Sequence, residues 1–357
     1  MKILALFFFF LNLFLFVLFT ALTIIRFTLY PHTWISILHH TTLSLYMCCF
    51  PMGATTLINV AVEVINVDYG FGGPGFLYFI WAVWWVDVAI SMLCCWGVVH
   101  IMTTTHTHSL QAMTAAWLLP VVTLTVAASS GGVLARALEQ YSPLKALISV
   151  AVAVFLVTVG LTLALMIITI YLLRLIVHGL PPGHKILSVF LPLGPTAQSG
   201  YAILLIGQNF KSLLPLDHGT SEFLRSGSAG ETINTVCVCI AFLLWSLAVM
   251  CIVFALLGIH DSVRQTRFPF MLPFWGLVFP NGVFANLTIN LSVTFDSSFF
   301  RVLGAIYAIA TLLVWIFVAS RTVALVYDRT IFVESMDDDN STAKHEPLPS
   351  SATSMAG

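Results

Sequence analysis

The chain has 357 residues, of which 59% are hydrophobic and 8% charged, with a net charge of −1 and a mean hydropathy of +0.99. A soluble domain carries about 25% charged residues, so this sequence lacks the means to solvate a globular surface, and its near-neutral balance offers no field for nucleic acid. The composition excludes both of those classes and predicts an all-α polytopic membrane protein.

A bilayer-crossing helix needs about 20 apolar residues, and that ruler finds nine. The first five are Ile3–Ile25, Thr41–Ile65, Phe76–Met102, Thr114–Ala135 and Ala146–Val177. The last four are Ile186–Gly207, Ile233–Gly258, Phe270–Val293 and Phe299–Val326. The first span is too long for a signal-peptide core, and no small-x-small site follows before Arg26, so it reads as a retained helix. Residues 1–330 read as one transmembrane domain, and 331–357 as a disordered acidic tail containing Asp337, Asp338 and Asp339.

Internal prolines fall in every second span. Pro51, Pro120, Pro192 with Pro195, and Pro273 with Pro280 mark the second, fourth, sixth and eighth, while the other five spans have none. A proline inside a helix removes a hydrogen bond and costs about 3 kcal/mol. The freed backbone is tolerable in a bilayer only against protein or a watery cavity. Strict alternation therefore predicts a repeat of hairpins, each a broken helix followed by a straight one, with the broken members lining a pore. The series opens on a straight span, so one N-terminal broken helix is expected beyond the nine. If the tail is cytoplasmic, eight Lys and Arg lie on its side and six on the other, a weak positive-inside signal.

All seven cysteines, Cys48, Cys49, Cys94, Cys95, Cys237, Cys239 and Cys251, sit in apolar stretches without a C-x-x-C pair and read as buried thiols. The histidines, including His39-His40 and His106-x-His108, lack the repeated boxes a membrane di-iron enzyme needs. No enzyme activity, catalytic residue, metal or cofactor is expected.

Several motifs resemble those of the fungal sulfite efflux pumps. They are C-F-P-M-G-A-T-T-L-I-N (Cys49–Asn59), W-W-V-D-V-A (Trp84–Ala89), W-L-L-P-V-V (Trp117–Val122), A-A-S-S-G-G (Ala127–Gly132), L-P-L-G-P-T-A-Q-S-G-Y-A-I-L (Leu191–Leu204) and F-W-G-L-V-F-P-N-G-V-F (Phe274–Phe284). These pumps form part of the tellurite-resistance/dicarboxylate transporter family, with malate permeases and slow anion channels. The resemblance implies ten helices in five hairpins around a quasi-five-fold axis, with proline-kinked helices inside and three protomers each holding a pore. One inner helix of that set has no counterpart in the nine spans. The resemblance also implies a gate at Phe279, the ring beside Pro280.

No Lys or Arg sits mid-span in the broken helices. Positive potential would come from half-helix N-termini and small polar side chains: Thr55, Thr56, Asn59, Ser129, Ser130, Gln198, Ser199, Tyr201, Asn281 and Asn286. Each of these could equally serve a helix–helix hydrogen bond. Glu63, near a pore mouth, and Asp87, in a straight span, are candidates for proton coupling. Asp87 also suits a structural bond to a neighbouring helix. The expected function is export of sulfite or bisulfite across the plasma membrane by a lipid-embedded homotrimer with a cytoplasmic C-terminus. A malate or C4-dicarboxylate transporter and a non-transporting truncated membrane protein stand as alternatives.

Overall fold

A computed structural model describes residues 2–181, 183–216, 221–265 and 270–329, all helix, turn and loop without strand. Among these residues nine helices are long and apolar enough to cross a membrane, matching the nine expected. The acidic tail, and Arg267 and Lys344 from the charge tally, lie outside the described residues.

Five spans are unbroken: α1 (Lys2–Leu29), α5 (Gly73–Thr104), α7 (Pro143–His178), α10 (Ala229–Gln265) and α12 (Ser298–Tyr327). The other four are composite. A short turn, α3 (Leu43–Tyr46), precedes α4 (Cys49–Val60), which relaxes into a π-helix at Ala61–Asp68. Short 3₁₀ stretches at Ala115–Leu118, Gly183–Phe190 and Leu272–Leu277 lead into α6 (Leu119–Leu138), α8 (Leu193–Leu213) and α11 (Val278–Thr294). The remaining helices, α2 (His32–His39) and α9 (Glu222–Arg225), are connectors.

The prolines stand differently from the interior kinks expected. Pro51, Pro195 and Pro280 are each the third residue of their helix, Pro120 is the second of α6, and Pro192 is the N-cap of α8. Pro273 is the second residue of its 3₁₀ turn. In a first turn the backbone N–H has no intrahelical acceptor, so proline removes nothing and its fixed φ suits the start. The prolines divide a short turn from a long helix, and the 3 kcal/mol interior penalty does not arise.

Burial separates the two kinds of span. Every residue of α6 except Arg136 is buried, and α8 is nearly as enclosed. By contrast α1 buries only Phe9, and α12 only Gly304 and Val318. Their exposed apolar side chains form the face that a bilayer covers. The buried helices pack in sequence as an arc, α4 to α6 to α8 to α11. Outside it, α5 packs on α4 and α6, α7 on α6 and α8, α10 on α8 and α11, and α12 on α11. The arc's ends, α4 and α11, are not a closely packed pair, so its wall is open between them. On that side α1 reaches α4 and the outer helix α12. Its Phe16 stacks on Phe50 of α4 with centroids 5.1 Å apart, and its Phe8 meets Trp315 of α12 edge-on at 5.0 Å.

Small residues set the spacing within the arc. A Cβ added to Gly132 would lie 2.8 Å from Leu205 Cβ on α8, and one on Gly200 would lie 2.8 Å from Leu287 Cδ2 on α11. Without water between helices, such close backbone approach supplies much of the packing energy. Gly200→Val should therefore separate α8 from α11 and cost about 1–3 kcal/mol, seen as a lower unfolding temperature of purified protein in detergent; an unchanged temperature would refute the close contact.

Candidate functional site

The polar residues of the broken spans meet each other across the arc. At its outer end, Asn12 Nδ2 of α1 donates to Thr56 Oγ1 of α4 at 2.9 Å. Ser130 Oγ of α6 donates to Asn59 Oδ1 of α4 at 2.6 Å. Gln198 Nε2 of α8 donates to Ser129 Oγ of α6 at 2.5 Å. The Tyr201 hydroxyl of α8 lies near the Asn286 side chain of α11. Side-chain bonds thus join α1 to α4, α4 to α6 and α6 to α8, forming a belt. Asn209 Nδ2 adds a bond from α8 to Gly132 O of α6 at 2.9 Å.

Exposure divides the same residues. Thr55, Ser129, Ser130 and Ser199 are fully buried, and Gln198 and Tyr201 nearly so. Thr56, Asn59 and Asn281 are half-buried, and Asn286 is open. The Ser199 hydroxyl is buried with no hydrogen-bond partner among the described residues. Asn281 Nδ2 donates to Leu277 O at 2.6 Å, and its Oδ1 accepts from the Tyr307 hydroxyl of α12 at 3.1 Å. Phe279, directly before Pro280, is half-buried. Its ring lies 4.0 Å from where a Cβ on Gly194 of α8 would stand, so the glycine leaves room beside it.

The two membrane carboxylates occupy opposite settings. Asp87 on α5 is 3% exposed, and its Oδ2 accepts from Thr55 Oγ1 at 2.9 Å. Its Oδ1 has no partner, and it makes no ion pair among the described residues. Thr55 Oγ1 also lies 2.7 Å from Pro51 O, so one hydroxyl proton faces two acceptors. Glu63 is open to solvent on the π-helix that ends the second span.

Two contributors escaped the sequence reading. Arg136 falls just past the Thr114–Ala135 span drawn from hydropathy, yet α6 runs on to Leu138 and makes Arg136 the one exposed residue of a helix otherwise enclosed. Its Nη2 donates to Gln208 Oε1 of α8, and it makes no ion pair among the described residues. Its charge acts on Glu63 and Tyr201, placing all three in one electrostatic neighbourhood. Asn12 lies within the apolar run Ile3–Ile25. A lone amide inside such a run was the available signal, because it must find a partner in the bilayer.

The voltage-dependent anion channel (SLAC1) family model matches residues 1–323. The sulfite efflux pump of Arthroderma benhamiae is 35% identical over 88% of this chain and 80% of its own length. The sulfite efflux pump of Candida albicans is 27% identical over 83% of this chain and 62% of its own. The malic acid transport protein of Schizosaccharomyces pombe is 23% identical over 86% and 67%. No solved structure matches with significance.

The belt's share in stability can be measured directly. A double-mutant cycle on Asn59→Ala and Ser130→Ala should give a coupling of about 0.6 kcal/mol in detergent unfolding; additivity of the two changes would remove that bond from the belt.

Proposed function

The chain belongs to the voltage-dependent anion channel (SLAC1) family and is a multi-pass membrane anion transporter, and on that premise we propose that it exports sulfite or bisulfite through the centre of the α4–α6–α8–α11 arc. The observation that carries the substrate is the 35% identity to a sulfite efflux pump over 88% of the chain. The malate reading rests on a weaker likeness, 23%. Residues 1–330 act as one transporter domain in the plasma membrane, surrounded by lipid, as a homotrimer with the C-terminus in the cytoplasm. The protein needs no cofactor and catalyses no reaction.

Helix direction supplies the attraction for an anion. Successive spans alternate direction, so α4, α6, α8 and α11 run parallel and start on one face. Their dipoles place partial positive charge there, behind the prolines. At the opposite face the same dipoles are negative and would repel an anion. Arg136 in the last turn of α6 offsets this, held by Gln208 instead of a carboxylate. Between these ends the lining is uncharged: Thr55, Thr56, Asn59, Ser129, Ser130, Gln198, Ser199, Tyr201, Asn281 and Asn286. A weak polar wall suits an ion that must also leave. Phe279 is the gate, with the space at Gly194 open to its ring. Glu63, open at the mouth beside Arg136, is the group placed for proton coupling. Asp87, enclosed against Thr55, serves as a structural tie between α5 and α4.

Cells expressing the protein should survive sulfite better and export it faster than cells without it, and should show little malate uptake. Malate uptake without sulfite export would transfer the function to the dicarboxylate. Arg136→Gln should raise the KM for sulfite by about tenfold while Arg136→Lys preserves it; equal effects of the two would discard the charge. Phe279→Ala should increase anion conductance, and no increase would remove its gating role. Glu63→Gln should flatten the pH dependence of flux and Asp87→Asn should leave flux intact; the reverse pattern would exchange their roles.

A further inference from the structure

Arg174 lies one turn from the C-terminal end of α7 and is only 4% exposed. One terminal nitrogen donates to Gly179 O and the other to Gln111 O, the latter at 2.9 Å. Its Nε is buried with no acceptor among the described residues. A guanidinium holds a permanent charge and five N–H donors. Arg174 makes no ion pair among the described residues. Two carbonyl dipoles and the C-terminal end of α7 offset part of a unit charge. Buried charges are otherwise paired with an opposite charge.

Beside this side chain is a cavity of about 200 Å³. Gln111, Ala112, Thr114 and His178 line it with Arg174, and among the described residues no carboxylate does. The Thr114 hydroxyl and the His178 ring add donors without adding negative charge. A planar guanidinium with a free donor matches the oxygens of a phosphate better than those of water. The location narrows the source. At 1.5 Å per residue α7 is about 54 Å long, well beyond the hydrocarbon thickness of about 30 Å. Its last turn therefore reaches the headgroup layer. The neighbouring Leu173, Ile176 and Val177 are exposed apolar side chains of the kind that face lipid tails.

We propose that this cavity is a phosphate-binding site, filled by the phosphate of an anionic lipid or by free phosphate, and separate from the central arc. Arg174 supplies the charge, Thr114 and His178 the flanking donors, and the exposed stripe of α7 the path for acyl chains. Occupancy would brace the end of α7 against the loop carrying Gln111, which leads into the 3₁₀ turn before α6.

The test uses the full-length protein purified in detergent and titrated with phosphatidic acid, phosphatidylcholine or inorganic phosphate under native mass spectrometry. Wild type should retain phosphatidic acid in preference to phosphatidylcholine. Arg174→Gln should bind it about tenfold more weakly. Ala112→Trp fills the cavity yet leaves both carbonyl bonds of Arg174 in place, so it should lose the lipid without unfolding. That pattern supports a lipid headgroup as the source. Binding of inorganic phosphate without lipid retention, lost in both variants, supports the site with free phosphate as its ligand. Equal binding by wild type and both variants, or no binding by wild type, overturns the proposal.

Discussion

A backbone N–H in hydrocarbon has no water to bond, and each one left unpaired costs several kcal/mol. Helix starts concentrate such groups, and this chain has four spans that start twice, once in a short turn and again in a long helix. Those second starts cannot face lipid. The straight helices take the lipid boundary, and the composite ones are drawn to the middle, where protein surrounds their ends. The alternation along the chain and the two layers in space follow from this one constraint.

Holding four such helices together takes little charge. Glycines at 132 and 200 bring backbones close, and the belt Asn12–Thr56, Asn59–Ser130 and Ser129–Gln198 fixes the register of neighbours. On the proposed path the same residues are the polar surface an anion would meet. A side chain already bonded to its neighbour is oriented and loses little entropy when a passing ion borrows a donor. Rigidity and weak attraction are therefore compatible here, and the charged groups Arg136 and Glu63 lie together toward the C-terminal ends of the inner helices.

The nine spans and the inner position of the proline-bearing ones were legible because hydropathy and proline act locally. The place of the helix starts was not. Whether a turn is 3₁₀, α or π depends on which carbonyl each N–H selects, and neighbouring helices decide that. The π-helix bearing Glu63 and the extension of α6 that carries Arg136 both come from that choice. Asp87 was legible as a suspect, but its tie to Thr55 needed the packing of α5 on α4. The cavity at Arg174 joins the end of α7 to residue 111, a pairing no local pattern encodes.

The central claim is that the anion path runs inside the arc and not along its lipid face. Asn59→Cys, Asn286→Cys and, on the outer face of α10, Val253→Cys can each be placed in a background lacking the seven native cysteines. After treatment of proteoliposomes with a charged methanethiosulfonate reagent and washing, sulfite flux should be blocked at positions 59 and 286 and unaffected at 253. Flux that survives modification at both inner positions, or fails only at 253, would contradict a path through the arc.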